Sequence, residues 1–465
     1  MKNVIALLLI LLCLSHTHAQ DIAGQWNGVL EVQGTQLRLV FNITKTAGGT
    51  SATMDSPDQG AKDIPVTAAS FENPVLKIAI PKMRLEYEGK LDKDNTITGT
   101  FKQGGLSLPL NLSKNKVEKA KVVRPQEPTK PYPYYVEDVV FENKNAKITL
   151  AGTLTLPKKD GKYPVVVLIT GSGPQNRDEE ILGHKPFLVL ADYLTKNGIG
   201  VLRFDDRGTA ASTGNFKAAT TLDFATDVEA AINYLLTRPD IDPKKIGLIG
   251  HSEGGIIAPM VAAKSKDVSF IVLLAGTGIA GDELLLLQMG LIAKAEGGTA
   301  EKLEKDRIIN KGVLDIVVKS KDTTTLKSEL TAYWQRTLKE HPDTKPKEMT
   351  EDDFIKIQVN TFTTSWMQYF LKYNPSIILA DVKCPVLALN GEKDLQVPSK
   401  INLEGIKRGL EKGKNTQVTT KELPNLNHLF QECATGSPSE YAKIEQTFAP
   451  IALNEIVNWV LKQVK

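Results

Sequence analysis

The alternation of apolar and polar positions changes character once along the chain. From about Asp21 to Ser113 it has a period of two, in "QWNGVLEVQG", "QLRLVFNITK", "VLKIAI", "RLEYEGKL", "TITGTFKQGG" and "LSLPLNLS". Turn-forming stretches such as "TAGG", "SPDQG" and "DKDN" separate these runs. Period two puts one face of each strand on a core and the other in water, so residues 21–113 predict a small all-β domain. The next stretch, "KNKVEKAKVVRPQEPTKPYPYY" from Lys114 to Tyr135, is rich in lysine and proline. Like charges and missing backbone N–H groups oppose a packed element, which predicts a linker over residues 114–135.

Beyond it, over residues 136–465, runs that are apolar throughout alternate with amphipathic ones. The former are "ITLAGTLTLP", "YPVVVLITG", "GIGVLRFDD", "KIGLIGHS", "VSFIVLLAG", "PVLALNG" and "QVTTKELP". Strands buried on both faces read this way, so the pattern predicts an α/β fold with a mostly parallel sheet and helices on both faces. Helices are expected at about Pro186–Lys196, Leu222–Thr237, Gly254–Ala263, Ile401–Leu410 and Ile451–Val464. Between about Ile279 and Ile378 the sheet pattern stops and helical periodicity takes over, in "DELLLLQMGLIAKA" and its successors. An insertion of this kind predicts a helical cap. Its apolar stripes are expected mostly to pack the cap helices on one another, with a minority lining a pocket.

Composition changes this picture little. At 465 residues, 41% apolar and 24% charged, the chain is globular and long enough for more than one domain. A formal charge of +3 gives no reason to expect nucleic acid as a partner. The opening "MKNVIALLLILLCLSHTHAQ" has one lysine, an 11-residue apolar run and Ala19 before Gln20. This is the layout of a secretory signal peptide over residues 1–20, with a run too short to span a bilayer. The mature protein is expected to be secreted or periplasmic, with no membrane span. Leu12 stands where a small residue would precede a lipidated Cys13, which argues against an acyl anchor. Cys384 and Cys433 remain, expected as two idle thiols, with a bridge as the alternative in an oxidising compartment.

The chemistry centres on "GLIGHSEGGI". The pentapeptide Gly250 to Gly254 fits G-x-S-x-G, between a predicted strand and a predicted helix, which makes Ser252 a candidate nucleophile on a sharp turn. A serine hydroxyl needs a base. Of the histidines outside the leader, His251 is adjacent to Ser252 and is expected to be packed and structural. His184 follows an early strand, and His341 lies in the charged "LKEHPDT" of the cap. His428, in "LPNLNHLFQ", follows the last strand and is the expected base. The orienting acid is expected in "NGEKDLQVP", where Asp394 is preferred to Glu392 because the turn must be completed first. The order Ser252, Asp394, His428 is that of α/β-hydrolases. The gap of 142 residues from serine to acid accommodates the cap, and the 34 from acid to histidine fit one helix and one strand. For the oxyanion, the N–H of Glu253 is one expected donor. The other is expected from "LITGSGPQNRDEE", at Ser172 or alternatively Gly173, since Pro174 has no N–H.

Together "TGSGPQNRDE", "RFDDRGTAASTG", "GHSEGG", "NGEKDLQVP" and "LPNLNHLFQ" resemble a family of secreted bacterial α/β-hydrolases related to carboxylesterases. That family is grouped broadly with serine aminopeptidase-like and dienelactone-hydrolase-like proteins. The resemblance covers about Val136 to Lys465. Relatives usually read D-x-R-G-x-G-x-S where this chain has "DDRGTAAS", so Ala210 stands in place of a glycine, and Arg207 beside it could touch the pocket. The "GQW" at Gly24–Trp26 resembles the start of lipocalin-like barrels, although a tryptophan closing a β-core explains it equally well.

The expected activity is hydrolysis of small-molecule carboxylic esters through an acyl-enzyme, with no metal or organic cofactor. Two alternatives stand beside it. One is a serine peptidase, aminopeptidase or amidase, for which Asp282, Glu283 and Glu351 are candidate anchors of a substrate ammonium. The other is a non-catalytic binding protein built around the β-domain.

Overall fold

The period-two alternation of the first hundred residues becomes one antiparallel sheet. In the computed structural model, residues 22–32, 35–59, 61–103, 106–116, 124–346 and 349–465 are described; the expected signal peptide, with Cys13, lies outside them. Two compact units separate, Met1–Ala120 and Lys121–Lys465. The first carries β1 (Gly24–Val32), β2 (Thr35–Thr46), β3 (Gly49–Ser56), β4 (Ala61–Pro65) and β5 (Ala68–Glu72), then β6 (Val75–Ile80), β7 (Leu85–Leu91), β8 (Thr96–Gln103), β9 (Leu106–Pro109) and β10 (Leu112–Ser113). They pair in the order β4-β3-β2-β1-β10-β8-β7-β6-β5, with β9 on β8. Strand β7 shows the cause, since Leu85, Tyr87 and Leu91 are buried while Glu86, Glu88 and Lys90 face water. Trp26 is fully buried in this core and its indole N–H donates to the Ile22 carbonyl at 2.7 Å.

The second unit holds an eight-stranded sheet. Its elements are β11 (Tyr135–Asn143), β12 (Ile148–Leu156), β13 (Tyr163–Ile169), α1 (Pro186–Lys196), β14 (Gly200–Phe204), α2 (Thr221–Leu236), β15 (Ile241–His251), α3 (Gly254–Ala262) and β16 (Val268–Leu274). After the insertion come β17 (Val386–Gly391), α10 (Ser399–Lys412), β18 (Val418–Leu423) and α11 (Pro450–Gln463). The order is β11-β12-β14-β13-β15-β16-β17-β18, antiparallel at the first two pairings and parallel from β14 to β18. Helices α2, α3 and α10 cover one face, α1 and α11 the other. The chain runs outward from β13 to β14 in one direction and through β15 and β16 in the other. A crevice therefore opens at the carboxyl ends of β13 and β15.

One strand of this sheet is missing from the sequence expectations. In β11 only alternate residues from Val139 onward are buried, because an edge strand pairs on one side and presents one face to water. The search for runs apolar throughout passes over such a pattern. Residues 124–134 form neither helix nor strand, yet Arg124 donates to the Gly183, Leu182 and Ala442 carbonyls and Gln126 to that of Phe448. Cys384 and Cys433 are free thiols. Among the described residues no helix is long and apolar enough to cross a membrane.

The insertion is α4 (Gly281–Ala295), α5 (Ala300–Lys319), α6 (Thr323–Glu340), α7 (Glu351–Phe362), α8 (Ser365–Lys372) and α9 (Pro375–Leu379). Ile309, Val313, Leu330, Trp334 and Phe354 form a core of its own, and Leu285, Leu286 and Met289 pack against it. The leucine run of α4 is thus spent largely on cap packing.

The loop after β14 is held by charge. Arg177 binds both oxygens of Asp205, and Asp206 accepts from Thr170 Oγ1 and the Gln175 N–H, each at 2.8 Å. These contacts fix the loop that follows β13. Arg207 turns away to α2, where its Nε donates to Asp227 at 2.7 Å. Ala210 has φ 46°, the left-handed conformation in which a glycine is unstrained. That is the physical content of the glycine usual at this place.

Two predictions follow from this loop. Replacing Ala210 by glycine removes the left-handed strain at the expense of some chain entropy, so Ala210→Gly is expected to stabilise by up to ~1 kcal/mol. A lower urea midpoint for the variant contradicts this. Burial pushes the Asp206 carboxyl from 3.8 up to about 8. The folded state then holds a proton that the unfolded chain has lost, so this group's contribution falls as pH rises from about 4 to about 8. Asp206→Asn keeps both contacts if Thr170 reverses its hydroxyl. Its urea midpoint is expected to decline less with pH than that of the wild type over this range, and parallel curves exclude the assignment.

Candidate active site

Ser252 stands at the carboxyl end of β15, the strand next to the switch point, with φ 53°. Few non-glycine residues adopt such a backbone, and it turns the chain sharply from strand into helix. The flanking glycines are required by contact. A Cβ on Gly250 would lie 2.0 Å from the Gly254 carbonyl oxygen, and one on Gly254 2.2 Å from that of Ile169. The Ser252 N–H donates to the Leu274 carbonyl on β16 at 2.8 Å, which locks the turn to the neighbouring strand.

Asp394 and His428 arrive from the loops after β17 and β18. Asp394 Oδ1 accepts the Gln396 and Val397 N–H groups at 2.8 Å each, and Oδ2 lies 2.8 Å from His428 Nδ1. Both residues are buried. With a carboxylate on Nδ1, that nitrogen carries the ring proton and Nε2 keeps a lone pair. Asn427 fixes the turn, its Oδ1 accepting from the Leu429 and Gln431 N–H groups. Among the described residues no hydrogen bond joins Ser252 Oγ to His428. Glu392, the positional rival of Asp394, is exposed and accepts the Asn425 N–H at 3.0 Å.

The loop after β13 meets the serine closely. A Cβ on Gly171 would lie 3.3 Å from Ser252 Cβ. The Gly171 N–H is occupied by Glu179 Oε1 at 2.7 Å. Among the described residues, the N–H groups of Ser172, Gly173 and Glu253 donate no hydrogen bond. Gly173 has φ 96°.

Several residues here escape the sequence reading. The Glu253 side chain is 4% exposed and its Oε1 accepts Thr221 Oγ1 at 2.6 Å and the Trp366 indole N–H of α8 at 2.7 Å. Burial raises its carboxyl above the ordinary range, against those two donors. His251 places Nδ1 2.9 Å from Glu179 Oε1 and Nε2 2.9 Å from the His428 carbonyl. Local sequence carries no signal for either contact, because Glu179 is one of three consecutive acids and Trp366 one of several cap aromatics. His184 is buried between Thr447 and Tyr441 and burial lowers it to about 4, so it is a neutral structural residue. His341 ends α6. Among the described residues no group of three or more His, Cys, Asp or Glu side chains is placed to hold a metal ion.

Comparison with known proteins places this geometry in context. Esterase EstD of Thermotoga maritima is 26% identical over 335 residues, 71% of this chain and 70% of its own. Human acyl-coenzyme A thioesterase 1 is 27% identical over 128 residues, 27% of each chain. Est1E of Butyrivibrio proteoclasticus, solved with ferulic acid, superposes with a TM-score of 0.40 at 16% identity, over 70% of this chain and 99% of its own. Residues 119–403 match the profile of the X-Pro dipeptidyl-peptidase (S15 family). That match spans more than half of the sequence, and the chain belongs to this family of hydrolases.

Proposed function

We propose that the protein is a serine esterase that cleaves small carboxylic esters through an acyl-enzyme on Ser252. The observation that carries this reading is the buried Asp394–His428 pair at 2.8 Å beside a serine held in the left-handed conformation. His428 Nε2 takes the proton of Ser252 Oγ as the oxygen attacks the ester carbonyl. The N–H of Glu253 and that of Ser172 or Gly173 receive the oxyanion, each donor worth about 3 kcal/mol in comparable sites. His428 then gives its proton to the leaving alcohol. Water deacylates the serine with the same base, and Asp394 steadies the imidazolium in both halves. Likeness to an esterase over most of the chain supports ester as the bond attacked.

A peptidase is the second reading, favoured by the dipeptidyl-peptidase name of the matching family. It needs a carboxylate to hold a substrate ammonium. Exposed Glu283 and half-buried Asp282 lie in the first turn of α4 and exposed Glu351 in that of α7, where helix dipoles already account for acids. Glu253, the buried acid next to Ser252, is engaged by Thr221 and Trp366. The esterase reading is therefore preferred. The N-terminal sheet is read as a module that steadies the enzyme domain or docks a partner.

On p-nitrophenyl esters and aminoacyl-anilides, ester turnover with silent anilides is expected, and the reverse would establish the peptidase. A fluorophosphonate probe is expected to label the wild type and not Ser252→Ala. Equal labelling of both, or of neither, removes the catalytic assignment and leaves a binding protein. Asp394→Asn is expected to lower kcat by about 10⁴-fold with the fold intact.

A further inference from the structure

We propose that Glu179 and His251 form a second buried acid–imidazole pair that positions the reacting groups, clamping the oxyanion loop to the loop of His428 with His251 as an imidazolium. The inference rests on the reading of Ser252, Asp394 and His428 as those groups. Its basis is the donor and acceptor count around His251. Nε2 faces the His428 carbonyl, which only accepts, so Nε2 carries a hydrogen. Nδ1 faces Glu179 Oε1, which already accepts the Gly171 N–H at 2.7 Å. An oxygen that accepts one N–H and meets a bare lone pair at 2.9 Å would be repelled, so a proton lies between them. Glu179 favours that proton on the ring, so both nitrogens donate and Glu179 supplies the countercharge in a buried site.

Three loops converge on this pair. Glu179 and Gly171 belong to the loop after β13, His251 ends β15, and the carbonyl that His251 holds is that of His428 itself. The pair therefore sets the distance between the oxyanion donors, the serine and the base without touching substrate. The His251 and His428 rings lie 4.9 Å apart at 44°. Asp394 and His251 face His428, and Tyr441 lies close to both His428 and Asp394. Glu179 and the more distant Asp394 charge face His251, and Asp206 carries its raised carboxyl beside Glu179. Burial opposes a charge on His251, yet Glu179 holds it above the ordinary histidine range.

Glu179→Gln removes the countercharge. A neutral His251 then either gives up one of its two contacts or takes the new amide N–H on Nδ1, which turns a donor towards the Gly171 N–H and breaks that bond. The expected result is a fall in kcat of at least tenfold with KM little changed, together with loss of one His251 ring proton in nitrogen-15 NMR. Loosened packing alone would lower activity and leave both ring protons in place. Both ring protons retained with kcat within twofold of wild type overturns the proposal. Nitrogen-15 NMR of the histidine rings gives an answer that needs no variant enzyme to fold, since residues 21–465 hold only four histidines. Both His251 nitrogens are expected to be protonated in the active wild type, and a bare Nδ1 overturns the pair. Wild type that fluorophosphonate leaves unlabelled overturns the parent reading instead, whatever the NMR shows of His251.

Discussion

The strained backbone at Ser252 is the constraint from which the top of the second sheet follows. A left-handed conformation costs a non-glycine residue roughly 1–2 kcal/mol and persists only where its surroundings leave no alternative. Here the surroundings are specific. Two glycines let the carbonyls of Gly254 and Ile169 approach to distances that any Cβ would forbid, and the N–H of Ser252 is tied to β16. The turn is thereby wedged between two neighbouring strands, and α3 can start directly above β15. Each other site residue is delivered to this fixed point by a loop.

Bringing loops over a sheet end buries carboxylates, and the structure resolves that cost in two ways. Asp205, Asp227, Glu179 and Asp394 each meet a basic side chain, namely Arg177, Arg207, His251 and His428. Asp206 and Glu253 meet only hydroxyl, indole or backbone donors, and burial drives both carboxyls upward. A buried charge without a partner is far more expensive than a neutral acid with hydrogen bonds. A basic side chain offsets this cost without always overcoming it, since Asp205 lies below the ordinary range beside Arg177 while burial still raises Asp227 beside Arg207. The two imidazoles among those bases lie side by side, which links the fixed point to the base loop.

The features legible in the sequence are those that local periodicity or motif order encodes. The apolar runs of β13, β15, β16 and β17 are buried on both faces and read directly, and the helix at Pro186–Lys196 has the bounds its pattern predicts. The meeting of Asp394 with His428 reads because the loops after β17 and β18 leave the sheet at the same end. Strand β11 does not read, because an edge strand is apolar only at alternate positions. Neither does the partnership of Glu179 with His251, 72 residues apart, since nothing in "NRDEEI" distinguishes the acid that turns inward from its neighbours. Ala210 is an intermediate case, in which the departure from a glycine is visible and its left-handed backbone is not.

The cap illustrates how topology decides what touches the site. Strands β16 and β17 are parallel neighbours, so the connection leaves at the carboxyl end of one and returns at the amino end of the other. Its first helices therefore begin at the end where Ser252 stands. Its last, α9, serves as the crossover helix and buries Leu379 in the sheet's core. Between them α8 carries Trp366, stacked on Phe370 at 5.3 Å, and the indole reaches the Glu253 carboxylate. The residue after the serine thus has two separate duties. It continues the strained turn at Ser252, and its carboxyl, held by Thr221, ties that turn to the cap helix through Trp366. A shift of α8 must either break the indole bond or pull on the residue next to Ser252, so cap placement and the geometry of the turn are mechanically coupled.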